Sequence, residues 1–239
     1  MDQPSTARAA TSSRSSPYDH LASIDLAFGE LVARYGRPDP FHWGWAADRP
    51  DASAFRVLLL QIVSQHVPVE RSFLLFDRLE RAAGGIDPAR ILGLAAAGLA
   101  SVGLPTRKAA SALAVAKAVT DGVLDLDDLP PDDDEAMRSL TALPGIGPWS
   151  AEMFLLGHSH RPDILPSGDF GIRRAVGIGW HLDAVPSASQ TARRGAAWSP
   201  YRSHAAALLW ASVLSNDARS GPAPGSGTWR GKRAALDAR

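Results

Sequence analysis

Leu140-Thr141-Ala142-Leu143-Pro144-Gly145-Ile146-Gly147-Pro148-Trp149-Ser150-Ala151 is the stretch on which the reading of this chain turns. Gly145 and Gly147 permit a tight reversal, and Pro148 suits the first turn of a following helix, where its missing N–H is not needed. The pattern predicts helix, hairpin, helix. Leu143 and Ile146 would anchor the turn in apolar packing, while amides at the turn and the helix start suit a phosphate. A plain connection between two helices accounts for the same residues equally well, because Pro and Gly turns are common.

Upstream of the hairpin the apolar residues recur at helical spacing. Ser16-Pro17 reads as an N-cap with Pro at the first position, and Leu21, Ile24, Phe28, Leu31, Val32 and Tyr35 continue as one helix. Gly36 to Pro50 is punctuated by Pro and Gly but carries His42, Trp43 and Trp45, large enough to tie the loop to the body. A second helix starts near Asp51 or Ser53 with Phe55, Leu58, Leu59, Ile62 and Val63 on one face, and Pro68 marks a restart. Asp87-Pro88 is another cap, Pro105 precedes an Ala-rich helix, and Asp132 with Glu135 forms a capping box for a helix ending near Thr141. Further helices are expected at Pro148 to Leu156, Asp169 to Val176, Ser187 to Gly195 and Pro200 to Leu214. Period-two strands are scarce and no repeat is found, so the fold class is all-α.

Composition narrows the chemistry. The 239 residues are 45% hydrophobic, enough to fill a sizeable core, and include no Cys, which excludes disulfides, thiolate-bound zinc and thiolate-bound iron-sulfur clusters. No run reaches the roughly 18 apolar residues of a membrane span, so a cytoplasmic protein with no membrane partner is expected. The formal net charge of +0 neither announces nor opposes nucleic acid, whose footprint is a local basic patch. Residues 1–16 read as a disordered tail and 219–239 as a basic, flexible one. His158 and His160 lack the partners of a metal site and receive no catalytic role.

Two motifs together resemble the HhH-GPD superfamily of DNA glycosylases: the hairpin Leu143 to Ala151, and the Gly/Pro-rich stretch Leu165-Pro166-Ser167-Gly168-Asp169, whose Asp stands 20 positions after Trp149. The resemblance runs from about Phe55 through Leu214 and is nearest to 3-methyladenine DNA glycosylase II, with Ile62 to Val69, Gly103 to Ala109 and Trp198 to Trp210 carrying it. It implies two packed helical subdomains with an active-site cleft between them: residues 17–218 as one catalytic unit, a central subdomain of about 55–140, and a second built from about 17–54 plus 141–218. The spacing from Asp169 to Trp210 departs from the bacterial enzyme by extra residues around His181 to Gln190.

The resemblance also implies the chemistry. Asp169 would stabilise positive charge on deoxyribose and direct water, whereas by position alone, at a loop-to-helix transition, it reads first as a helix N-cap. Trp149 and Trp210 would wall the base pocket, and His66 would be the wedge that fills the gap left by a flipped base. Leu143, Pro144, Gly145, Ile146 and Gly147 would form the DNA-binding hairpin. A structural monovalent cation on carbonyls near Leu143 and Gly145 is implied there, with no catalytic metal and no other cofactor. Thr106, Arg107 and Lys108 are candidate phosphate contacts. Trp149 stands where lyase relatives carry Lys, so a monofunctional hydrolase is expected. It would act as a monomer on alkylated bases in double-stranded DNA. Another class of damaged base, or noncatalytic damage binding, stays open, and Arg202 is expected to pair with a carboxylate or a helix end.

Overall fold

The computed structural model describes residues 16–41 and 52–219, and among them every regular element is helical. α1 (Pro17–Ile24) and α2 (Leu26–Tyr35) precede α3 (Ala54–Ser64), α4 (Val69–Ala83), α5 (Pro88–Ser101) and α6 (Thr106–Thr120). α7 (Asp133–Thr141) and α8 (Pro148–Gly157) flank the hairpin. α9 (Phe170–Gly179), α10 (Ala188–Gly195), a 3-10 turn (Ala196–Trp198) and α11 (Arg202–Arg219) complete the order. Of the expected tails, Ser16 instead caps α1 and Arg219 closes α11, while residues 1–15 and 220–239, like His42, Trp43 and Trp45, fall outside the described residues.

Local chemistry starts most of these helices where the cap residues stand. Ser53, Asp87 and Ser187 each accept a first-turn amide, and each such cap contributes about 1 kcal/mol. Asp132 does the same for Glu135 N at 2.8 Å, but the return half of the expected box does not form, because the Glu135 carboxylate faces Arg138 instead. The single helix expected from Pro17 to Tyr35 is two. Asp25 breaks it with an extended backbone, its N–H donating to Leu21 O and its carboxylate accepting from Ala27 N at 3.0 Å. The same carboxylate accepts from Trp180 Nε1 at 2.7 Å, so one residue closes α1, opens α2 and fastens both to a distant indole.

The helices gather in two groups, the two subdomains of the fold. α3, α4, α5 and α6 pack together; α1, α2, α9, α10, the 3-10 turn and α11 form the other group. α8 pairs with α7 across the hairpin and lies against α3, and its Trp149 reaches the N-cap of α9 in the other group. α3 suits a central place because it is apolar nearly all round: Ala54, Phe55, Val57, Leu58, Leu59, Leu60, Ile62 and Val63 are buried. In the second group Phe28 meets Trp180 and Trp198 edge-on, with centroids 5.4 and 5.1 Å away.

Candidate active site

The strap from α8 to α9 carries Asp169, and it is pinned along its length. Arg161 donates to Pro130 O at 2.6 Å and to Asp133 at 3.2 Å, which holds the strap against the α6–α7 loop. Ser203 Oγ, fully buried at the start of α11, donates to Arg161 O and accepts from Ile164 N at 3.0 Å. Asp163 takes a two-pronged grip from Arg202, at 2.8 and 2.9 Å, and a hydroxyl from Ser199 at 2.7 Å. This is the carboxylate partner expected for Arg202. Burial works against the Asp163 charge, yet the bonds from Arg202 and Ser199 outweigh it and hold the carboxyl below its usual range. Leu165 and Pro166 are buried, and Pro166 O accepts Asp169 N at 3.0 Å.

Asp169 emerges from this strap as the N-cap of α9, its Oδ1 accepting from Ile172 N at 2.9 Å. The cap role and the site role coexist. Oδ1 also accepts from Trp210 Nε1 of α11 at 3.0 Å, and Oδ2 accepts from Trp149 Nε1 of α8 at 3.1 Å. Three elements thus converge on one carboxylate, fixed by three donors at the positive end of a helix. Gly171 permits the closeness, since a Cβ there would lie 3.0 Å from Asp169 Oδ1 and 3.4 Å from Trp210 Cδ1. Trp149 remains 44% exposed although its indole N–H is held by the carboxylate. The indoles expected as pocket walls are also the clamps of the acid.

The hairpin is locked to the α3–α6 group. Ile146 is buried, Gly145 turns with φ 85°, and a Cβ on Gly145 would land on Ser111 Oγ and 2.7 Å from Ser111 Cβ. Gln65, just past α3, donates to Gly145 O at 3.0 Å and to Ser150 Oγ at 3.2 Å. Pro144, Gly145 and Gly147 are exposed, and no side chain caps the first turn of α8. Its leading amides therefore face outward at a helix N-terminus. Of the two carbonyls suggested for a cation, Leu143 O accepts from Ile146 N at 3.1 Å and Gly145 O from Gln65 at 3.0 Å, which leaves each oxygen a second lone pair.

His66 follows Gln65 beside the hairpin, exposed and in the left-handed region at φ 54°, which is unusual for a residue with a Cβ. Lys108 turns inward rather than toward solvent. Its ammonium donates to Val63 O at 2.7 Å and Gln65 O at 2.6 Å, closing the C-terminal end of α3, and burial lowers its pKa. Thr106 and Arg107, exposed in the first turn of α6, remain on the surface.

Three contributors escaped the sequence reading. Gln65 bridges α3 to the hairpin, and Ser111 fills the space that Gly145 leaves. Glu152 lies half-buried one turn after Trp149, its carboxyl pushed up to about 7 by burial first and by the Asp169 charge second. Only Glu152 left a signal, as the one acid in the apolar run from Trp149 to Leu156.

The profile of HhH-GPD superfamily base excision DNA repair proteins matches residues 60–200. DNA-3-methyladenine glycosylase 1 of Schizosaccharomyces pombe is 23% identical over 80% of this chain and 84% of its own length. DNA-3-methyladenine glycosylase 2 of Escherichia coli is 29% identical over 52% of this chain, which spans 41% of that enzyme. A Bacillus subtilis protein provisionally named a DNA-3-methyladenine glycosylase is 27% identical, and the chain spans 60% of its length. Among solved structures, a Bacillus halodurans DNA-3-methyladenine glycosidase superposes with TM-score 0.71 at 24% identity, covering 85% of this chain and 93% of that one. The S. pombe 3-methyladenine DNA glycosylase in complex with abasic DNA superposes with TM-score 0.66 at 23% identity, covering 81% and 94%. With its hairpin, its strap and its capping Asp in place, the chain belongs to the HhH-GPD superfamily of base excision DNA repair proteins, alongside the DNA-3-methyladenine glycosylases.

Proposed function

We propose that this protein is a monofunctional DNA glycosylase that hydrolyses the bond between deoxyribose and an alkylated base, such as 3-methyladenine or 7-methylguanine, in double-stranded DNA. The observation that carries this is the Asp169 carboxylate, clamped by a helix amide and by two indole N–H groups, one of them from the exposed Trp149. Breaking an N-glycosidic bond leaves positive charge on the sugar. A carboxylate already oriented needs no reorganisation to stabilise that charge or to take a proton from attacking water. A cationic alkylpurine stacks well on indole and is a good leaving group, so this site has what it needs for such bases.

A duplex conceals the bond, so the nucleotide must leave the stack. His66 is poised for that step: backbone strain of this kind costs about 1–3 kcal/mol and persists only where neighbours enforce it. Gln65 and Lys108 are those neighbours. The uncapped first turn of α8 offers amides to a phosphate, which would set the register of the strand. Trp149 offers no amine, so water is the nucleophile and an abasic site the product.

The reading is tested with duplexes carrying single defined lesions, by chromatography of the released base. Intact 3-methyladenine or 7-methylguanine should be released, with strand breaks appearing only after separate treatment of the abasic site. Binding of the lesion without release would leave a damage-binding protein, and an imine trapped by borohydride during turnover would contradict the hydrolytic mechanism.

A further inference from the structure

Glu152 is the acid that the hydrolysis above leaves unused. It stands three residues after Trp149 on α8, and side chains at that spacing share a helix face. Since the Trp149 indole touches the Asp169 carboxylate, Glu152 lies one turn further along the same wall. Among the described residues no hydrogen-bond donor or cation meets its carboxyl. The groups packed around it account for that. From α9 the charge facing it is Asp169 itself, and Arg173 of that helix is turned away to Pro186 O. α3, which packs against α8, buries an almost wholly apolar surface, and Gln65 just past its end is neutral and bonded to Ser150. On α7, Asp133 is held by Arg161, and Arg138 is nearest Glu135.

A half-buried carboxylate without partners, beside a second carboxylate that has three, would be a fault in a structural position. A carboxylic acid kept protonated there is instead a proton donor. From this geometry, and resting on the glycosylase reading, we infer that Glu152 is a general acid that protonates the departing base and extends excision to uncharged lesions. Cationic alkylpurines leave as neutral bases and need no acid. A neutral lesion such as hypoxanthine or ethenoadenine would leave as an anion unless a ring nitrogen is protonated.

The step balances. The Glu152 O–H proton passes to a ring nitrogen of the base as the bond to C1′ breaks and its electron pair goes to the base. Water adds to C1′, its proton leaving through Asp169 to solvent, and the Glu152 carboxylate regains a proton from solvent. The sum is one nucleotide and one water giving a free base and an abasic site. Burial together with Asp169 keeps the donor loaded up to about pH 7, so acid catalysis should fade above that.

Single-turnover excision of hypoxanthine and of 7-methylguanine from otherwise identical duplexes, between pH 5.5 and 9, tests the inference with wild type and Glu152→Gln. The expected result has two parts. Wild type loses hypoxanthine excision above about pH 7. Glu152→Gln, with its circular dichroism unchanged, loses about 100-fold more on hypoxanthine than on 7-methylguanine, and that falling limb disappears. Equal losses on both lesions, or an unaltered limb in Glu152→Gln, would overturn the role of Glu152. So would a wild type that releases 7-methylguanine but no hypoxanthine. Release of neither base by the wild type would instead remove the glycosylase reading on which the inference rests.

Discussion

Two carboxylic acids separated by a helix turn and an indole behave differently because of what surrounds them. Asp169 gains three donors and a helix N-terminus; Glu152 gains burial and the Asp169 charge. The consequence for stability follows from the direction of the Glu152 shift, from 4.5 to about 7. Between those pH values the unfolded chain has released a proton that the native protein still holds, so native stability falls as pH rises through that window. Glu152→Gln should remove that fall, and its melting temperature should exceed that of wild type at pH 8 while matching it near pH 4. Thermal melts of both proteins across the range check this, and parallel curves would show that Glu152 titrates normally. Asp169 was legible in the sequence because its motif and its cap position coincide. Glu152 was not, because a lone acid on an apolar helix says nothing about which face it takes until the fold sets Asp169 opposite it.

At the scale of elements, the hairpin and the α3–α4 junction are rigid because small contacts cross between helices. Gly145→Ala places a methyl on Ser111 and forces a Cβ into φ 85°, a combination expected to cost about 3 kcal/mol. Adding Ser111→Gly removes the obstacle while leaving the backbone strain, so the double variant should recover about half of the loss in urea unfolding. A double variant no better than the single would place the cost elsewhere. Lys108 supports the other edge of the site. Lys108→Met removes two charge-assisted bonds from the end of α3 and should cost about 2 kcal/mol. If His66 is the wedge, Lys108→Met and His66→Ala should both slow excision about tenfold on paired DNA and much less on a single strand; an equal loss on both substrates would remove that role. Helix starts at Ser53, Asp87 and Ser187 could be read from caps alone. The break at Asp25 could not, since periodicity continues across it and the deciding partner, Trp180, lies 155 positions away. The inward turn of Lys108 is likewise invisible, because a Lys at a helix start reads as solvent-facing until the end of another helix is set against it.

At the scale of the whole molecule, the site exists only where α8, α9 and α11 meet, and the strap from Arg161 to Asp169 carries the geometry between them. Asp163→Ala would leave the half-buried Arg202 without its carboxylate and free the start of α11, at an expected cost of about 2 kcal/mol at neutral pH. The Asp163 carboxyl is held below its usual range, so its contribution is complete above about pH 4 and fades as pH falls further. The difference in melting temperature between wild type and Asp163→Ala should therefore narrow in acid; a gap unchanged at pH 2 would mean that the pair is not the source. The two motifs announced where chemistry would sit, but not that Trp149 and Trp210, 61 positions apart in the chain, would each give an indole N–H to the same acid. If the carboxylate held by that convergence stabilises the sugar cation, Asp169→Asn removes the charge that does so. The amide keeps the size of the side chain and still accepts hydrogen bonds through its one oxygen, but it carries no charge to oppose the developing cation. Single-turnover release of 7-methylguanine from duplex DNA, measured with lesion affinity on the same folded protein, should fall by several orders of magnitude while binding is retained. Near-normal release by folded Asp169→Asn would show that the Asp169 charge does not drive the reaction.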